Sequence, residues 1–492
     1  MAEAWSDLIA HMQRIETLSN IHALLQWDQQ TGMPHRAGEA RGEQSALLAG
    51  MVHELQVDPR IQGWLDAVDP GDDRTKRAAV RNLRRAYERA TRVPTELVQR
   101  RARLESQGFA TWMEAREAGD FDRFAPVLQQ LLDASRDRAE AIDPDRDPYD
   151  VILEDYDPGT TRADLTPMFA RLRDGLHELV EAVRERPSPP PLRDVVPEQV
   201  QLAWHRDLLD TIGYDFSAGA MAKSAHPFTI RLGPADVRIT TRVMESDVLS
   251  GLGSSVHEGG HAMYEQGLPH LPGTGVGVAA SMGMHESQSR FWENFIGRSE
   301  PFLAWAAERL AADGGPRLDP TAMYRAANRI HPDRIRVEAD EVTYNLHIIV
   351  RYELEQALFS GDLTVADLPA AWADRYRDLL GVEVPDVRQG VLQDVHWAHA
   401  AFGYFPSYTL GNLYAASLGV AVEAAVPDLW ERVREGRFAE VLGWLREKIH
   451  QEGHHDDSPV LMRRVVGDRD HVEDLLTYLW GRHGALYGVA RG

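Results

Sequence analysis

Two adjacent glycines, Gly259 and Gly260, stand between two histidines in the stretch SSVHEGGHAMYEQG, residues 254–267. Around them the chain reads as a helix. Val248, Leu249, Leu252, Val256, Gly260 and Met263 recur at helical spacing, with Ser246 or Asp247 as N-cap. Each glycine in a helix interior costs about 1 kcal/mol relative to alanine, so the pair has to serve something. Gly260 falls on the buried face, and the missing side chain at Gly259 or Gly260 lets a neighbouring helix or a peptide approach the backbone closely. Local failures of propensity of this kind concentrate at functional sites.

His257 and His261 are one helical turn apart, so both imidazoles can reach one ion at about 2.0 to 2.1 Å. Glu258 is rotated away from the ligand positions by about 100° and can hold a water. This is the H-E-x-x-H arrangement, in which an ion acidifies a water and the carboxylate takes its proton. The competing reading is a helix with two ordinary surface histidines.

The chain has no cysteine, so there is no disulfide framework, no thiolate nucleophile and no thiolate metal cage. A third ligand is therefore His, Asp or Glu. The helix MGMHESQSRFWENFIGRS, with apolar Met282, Phe291, Trp292, Phe295 and Ile296, offers Glu286 and Glu293 on its polar face. Spacing does not choose between them, and Glu286 could equally form a surface pair with Arg290. The net charge of −23 argues against a nucleic-acid backbone or an anionic lipid surface as partner. The opening MAEAWSDLIAHMQRIETL carries no apolar core of a signal sequence, and no apolar run approaches the ~20 residues of a membrane span. The chain is expected to be cytoplasmic.

Most of the 492 residues follow a 3.6-residue period, for example 169–183 and 335–358, so the fold is mainly α. Breaks fall at DPDRDPYD (143–150), RPSPPPLRD (186–194) and ADGGPRLDP (312–320). The first 190 or so residues read either as a separate helical lobe or as part of one domain. The segment PFTIRLGPADVRITTRV alternates apolar residues about a GPAD turn, which predicts an antiparallel hairpin just before the HEGGH helix. An edge strand there could hold an extended peptide by main-chain hydrogen bonds.

HEGGH and HESQS (285–289), with HPF (226–228), DVRIT (236–240), IRVEAD (335–340) and GVLQDVHW (390–397) in that order, resemble the carboxypeptidase Taq family of metallocarboxypeptidases. WDQQTGMP (27–34) and YDVILEDYDPGTT (149–161) extend the likeness over nearly the whole chain. The resemblance implies a large helical fold enclosing a deep narrow groove, commonly as a homodimer, which removes single residues from peptide C-termini with broad preference. It implies that His257, His261 and Glu286 hold zinc or a similar divalent ion, with Glu258 as general base and acid; two histidines and a glutamate also accommodate cobalt or manganese. It merges the N-terminal helical part (about 1–190) and the metal and substrate site (about 220–415) into one catalytic domain, 1–492.

An exopeptidase needs a group for the terminal carboxylate, and arginine's planar fork suits it. Arg336, at the start of an expected helix running through Asp340, Thr343 and His347, is assigned that role on its family counterpart; its structural alternative is an ion pair with Asp340. His396 and Tyr408 match family positions lining the site and are assigned to carboxylate or oxyanion stabilisation. His226, Arg238 and Tyr404 are taken as substrate-binding, and His399 is a weaker candidate. Gln393, Asp394 and Trp397 are expected to support these groups. His450, His454 and His455 with Asp456 and Asp457 have the composition of a second metal cluster but lack its spacing, and His22, His35 and His53 read as structural or exposed. The rival functions are a helical zinc oligopeptidase that cuts internally and, from a different class, a metal-stabilised peptide-binding protein with no use for Glu258.

Overall fold

The computed structural model describes residues 2–492. The chain forms two compact units. The first takes residues up to Thr91, Pro191–Ala327 and Ala415–Asp468; the second takes Arg92–Pro190, Asn328–Tyr414 and Arg469–Gly492. The N-terminal 190 residues are thus shared between the two. Helices stop and restart at the expected breaks: one ends at Ile142 and the next opens at Pro148, one ends at Arg184 and the next opens at Glu198, and one ends at Ala312 and the next opens at Pro320. Among the described residues no helix is long and apolar enough to cross a membrane.

In the first unit, helix Ala2–Thr31 packs along helix Gly38–Gln56. Leu8 of the first helix is buried against Ile61, Leu65 and Leu83, whereas Gly38–Gln56 has no buried residue at all. The predicted hairpin is present as β2 (Thr229–Gly233) and β3 (Asp236–Thr241). The sheet is not purely antiparallel, because β1 (Gly219–Lys223) pairs parallel to β3 and gives the order β1-β3-β2. β1 reads GAMAK, with no β-branched residue and no turn linking it to its partner, so no local signal marks it.

β3 lies against the HEGGH helix, Val248–Gly267. Of the two cap candidates it is Asp247 that caps, accepting from Ser250 N at 3.1 Å. Leu252, Val256 and Met263 are all buried, and at roughly 2 kcal/mol each they outweigh the cost of the two glycines. A buried chain of hydrogen bonds fixes the helix to its surroundings. Thr241 Oγ1 meets Ser255 Oγ at 2.7 Å, and Ser255 Oγ meets His205 Nδ1 at 3.0 Å on helix Glu198–Ile212.

In the second unit, helix Tyr344–Ser360 is buried over most of its length. It does not begin at residue 335 as the periodicity suggests. Arg336–Glu338 form a single 3₁₀ turn, and Asp340 then accepts from the backbone N–H groups of Val342 and Thr343 and from the Thr343 hydroxyl. A side chain that captures those amides competes with the helix there and delays its start.

Candidate metal centre

The HEGGH helix and the helix Met282–Arg290 cross at Gly260. A Cβ on Gly260 would stand 2.7 Å from Gln288 O and 2.7 Å from Ser289 Cα, so only glycine allows the two backbones this close. Gly259 faces the other way, where a Cβ would meet Leu209 Cδ2 at 2.4 Å. The crossing carries Glu286 to the two histidines. Glu286 Oε2 lies 3.4 Å from His261 Nε2 and 3.8 Å from His257 Nε2, and one ligand atom from each of the three residues lies within 4.8 Å of the others. Among the described residues no other group of three or more potential ligands closes in this way.

Each imidazole is oriented through its other nitrogen. His257 Nδ1 bonds Glu293 Oε2 at 2.8 Å, and His261 Nδ1 donates to His285 O at 3.0 Å. With a proton on each Nδ1, the Nε2 lone pairs face Glu286. Both candidate carboxylates are therefore used, Glu286 toward the histidines and Glu293 behind one of them. Helix Met282–Arg290 widens into a π turn over Phe291–Ile296, which carries Glu293. Arg290 ties the two together, donating from Nε to Glu286 Oε1 at 2.6 Å and from Nη1 to Glu293 Oε2 at 3.1 Å. The surface pair considered for Glu286 is thus real but buried, and it coexists with the approach to the histidines. Met282, one of the helix's apolar positions, is 37% exposed, and Met284 is the buried methionine of that turn.

Electrostatics follow from this packing. Burial alone would raise the Glu286 carboxyl, but Arg290 and the two histidines hold it well below the ordinary range. Burial lowers His261 to about 3, helped by His285, which keeps it a neutral donor of electrons. Burial pushes Glu258 up. Its carboxylate Oε2 accepts from Thr229 Oγ1 at 2.7 Å.

The remaining residues singled out in the sequence fall into two places. His226 and Arg238 belong to the first unit. His226 is exposed, and its backbone oxygen accepts from Ser224 Oγ at 2.6 Å. Arg238 is held by Asp236 at 2.7 and 2.8 Å and lies over Trp27 at 5.5 Å. Arg336, His396, Tyr404 and Tyr408 belong to the second unit. Arg336 does not pair with Asp340, whose oxygens are committed to backbone amides; it donates to Asp394 Oδ1 from Nε at 2.9 Å and from Nη2 at 2.8 Å. Arg351 takes the other oxygen, Oδ2, at 2.7 Å, so one buried carboxylate serves two guanidinium groups. The Arg336 guanidinium also lies 5.1 Å from the centre of the Tyr408 ring, and His396 Nε2 meets Tyr408 OH at 3.1 Å. Burial lowers His396 to about 3, so it is neutral at ordinary pH. Tyr404 packs edge-on to Tyr408, and His399 stacks on Phe109. Gln393 accepts from Arg336 N at 2.9 Å, and Trp397 Nε1 donates to Glu355 at 2.7 Å.

The sequence profile of the carboxypeptidase Taq (M32) metallopeptidases matches residues 7–483. Thermostable carboxypeptidase 1 of Thermus thermophilus is 43% identical, over 99% of each chain, and carboxypeptidase 1 of Bacillus subtilis is 35% identical over 97% of each. The crystal structure of the M32 carboxypeptidase from Deinococcus radiodurans superposes with a TM-score of 0.94 at 39% identity, covering 99% of this chain and all of that one. The chain belongs to the carboxypeptidase Taq family. It is an enzyme, a metallocarboxypeptidase with a mainly helical fold.

For an M32 peptidase the three side chains fit a divalent cation. Tetrahedral ligands about 2.1 Å from an ion stand about 3.4 Å apart, which matches the 3.4 and 3.8 Å separations around Glu286 Oε2. The donors are two imidazole nitrogens and one carboxylate oxygen. The His450–Asp457 segment is no second centre. His454 pairs with Asp457, Asp457 with Arg85, and Asp456 with Arg74, so its acids are consumed by arginines. His450 is buried and bonds Gln288 Oε1 at 3.1 Å. Neither the Thr229 bond to the Glu258 carboxylate nor the orienting part of Glu293 was expected from the sequence. For Glu293 the seven-residue spacing was a signal; for Thr229, distant from Glu258 in sequence, there was none.

Proposed function

We propose that this M32 peptidase removes single residues from peptide C-termini with broad preference, using His257, His261 and Glu286 as metal ligands and Glu258 as general base and acid. The observation that carries the reading is the convergence of both Nε2 atoms on Glu286 Oε2, with the Glu258 carboxylate beside them on the same helix. Zinc is the first choice for two imidazoles and a carboxylate, with cobalt or manganese compatible with the same set. A divalent cation there supplies a Lewis acid that polarises the scissile carbonyl and acidifies water. Glu258 takes the proton of the attacking water and returns it to the leaving amine. Its raised affinity for protons through burial favours that double role. The neutral imidazole of His396 and the Tyr408 hydroxyl are hydrogen-bond donors suited to an oxyanion, and Arg336 is assigned the terminal carboxylate. His226, Arg238 and Tyr404 are assigned to the body of the peptide.

Both compact units are read as parts of one catalytic domain, because the family profile spans residues of each. The homodimer is carried over from the resemblance, and the cytoplasmic location is carried over as an expectation of the sequence. The test is hydrolysis of an N-blocked dipeptide with and without chelator, beside the same peptide amidated at its C-terminus. Chelation and amidation should each remove most of the activity. Equal turnover of the amidated peptide would instead mark an internally cutting oligopeptidase. Glu258→Gln should keep the metal and lose turnover by orders of magnitude, and unchanged turnover would refute the assignment of the base.

A further inference from the structure

We propose that Thr229 is a positioning residue for Glu258, an inference that rests on the reading of Glu258 as the base. The Thr229 hydroxyl has one proton and two acceptors within reach, Glu258 Oε2 at 2.7 Å and Glu258 O at 3.0 Å. Both belong to the same residue, so the hydroxyl is tied to Glu258 whichever way it turns. Among the described residues it is the only side chain that hydrogen-bonds the Glu258 carboxylate. A glutamate has three side-chain torsions, and here the hydroxyl fixes the last of them, holding Oε2 and leaving Oε1 to meet the proton.

The scaffold behind Thr229 is rigid. Phe228, the residue before it, is tied to Thr240: its N–H donates to Thr240 Oγ1 at 2.9 Å and its oxygen accepts from Thr240 N at 2.9 Å. The same Thr240 hydroxyl lies within hydrogen-bond distance of Ser224 Oγ, at 2.7 Å. The Phe228 ring is packed edge-on against Trp27, with centroids 5.8 Å apart. Thr229 itself is paired with Ile239 in the sheet. In this arrangement His226-Pro227-Phe228 is a clamp that delivers the next residue's hydroxyl to the base.

The test compares Thr229→Val, which keeps the shape and deletes the hydroxyl, with Thr229→Ser, which keeps the hydroxyl, on an N-blocked dipeptide. Thr229→Val should lower kcat by about 10- to 100-fold, with KM, bound metal per chain and Tm close to those of the parent. Thr229→Ser should restore most of kcat. If Thr229→Val fails to accumulate, Thr229→Ala serves for the same split. A Thr229→Val enzyme with parental kcat, a Thr229→Ser enzyme as slow as the valine variant, or a kcat loss that follows lost metal would each overturn the inference. Glu258→Gln run alongside separates the two levels: if it is inactive while Thr229→Val is fully active, only the positioning role fails, whereas an active Glu258→Gln removes the base assignment itself.

Discussion

Gly260 and Ser289 are in backbone contact: a Cβ on Gly260 would stand 2.7 Å from Ser289 Cα. Gly260→Ala gains about 1 kcal/mol of helix propensity, but overpacking against a backbone costs about 1 to 3 kcal/mol, and the strain falls on the helix that carries Glu286. The variant should be less stable to urea and should yield its metal to a competing chelator more readily. Gly259→Ala meets only the tip of the Leu209 side chain, which can turn away, so its effect should be clearly smaller. Equal behaviour of the two variants would show that the close crossing is unimportant.

Glu293 fixes the tautomer and direction of His257 from behind. Replacing it by glutamine removes a charge that both His257 and Arg290 use. Metal affinity should fall about 10- to 100-fold, as is usual when the group behind a ligand histidine is changed. Chelator competition on the purified variant measures this directly, and affinity within twofold of the parent would contradict it.

Burial raises the Glu355 carboxyl to about 7, against hydrogen bonds from Trp397, Tyr149 and Gly403 N that favour the anion. In the unfolded chain this group titrates at its ordinary value of 4.5. Between those two pH values the folded protein keeps a proton that the unfolded chain has released. This contribution to stability is therefore complete below pH 4.5, declines as pH rises toward 7, and is flat above. The decline is about 3 kcal/mol. Glu355→Gln cannot titrate, so its stability relative to the parent should improve by about that amount between pH 4.5 and pH 8, read from urea unfolding at both. A difference that does not change with pH would show that Glu355 is ionised throughout.

Asp394 is the shared counter-charge of Arg336 and Arg351, all three largely buried. Asp394→Asn leaves two cations without it, and breaking such a buried pair costs about 3 to 5 kcal/mol. Tm should drop by several degrees with bound metal unchanged in the folded fraction. A variant as stable as the parent would show that the cluster is solvated or otherwise compensated.

What could be read from the sequence was what depends on near neighbours. His257, His261 and a cap at Ser246 or Asp247 follow from helical spacing, and the hairpin from alternation about a turn. The glycine pair announced a close approach without saying to what. Glu286 needed the family likeness, because two carboxylates shared a face and only the crossing at Gly260 distinguishes them. β1 was illegible because its partner is reached in parallel across a hairpin. The late start of helix Tyr344–Ser360 was hidden because period alone does not register Asp340 taking up backbone amides. The structural alternative for Arg336 named the wrong aspartate for a similar reason: Asp340 is near in sequence, Asp394 near in space.

Helix Gly38–Gln56 has no fully buried residue, and Leu47 is 67% exposed. Its amides then depend on the helix's own hydrogen bonds rather than on the core, so deuterium should enter there at a local opening free energy far below that of the HEGGH helix. Limited proteolysis would nick this segment first, and the chain would shed it as a separate cooperative step long before the ligand-bearing helices part.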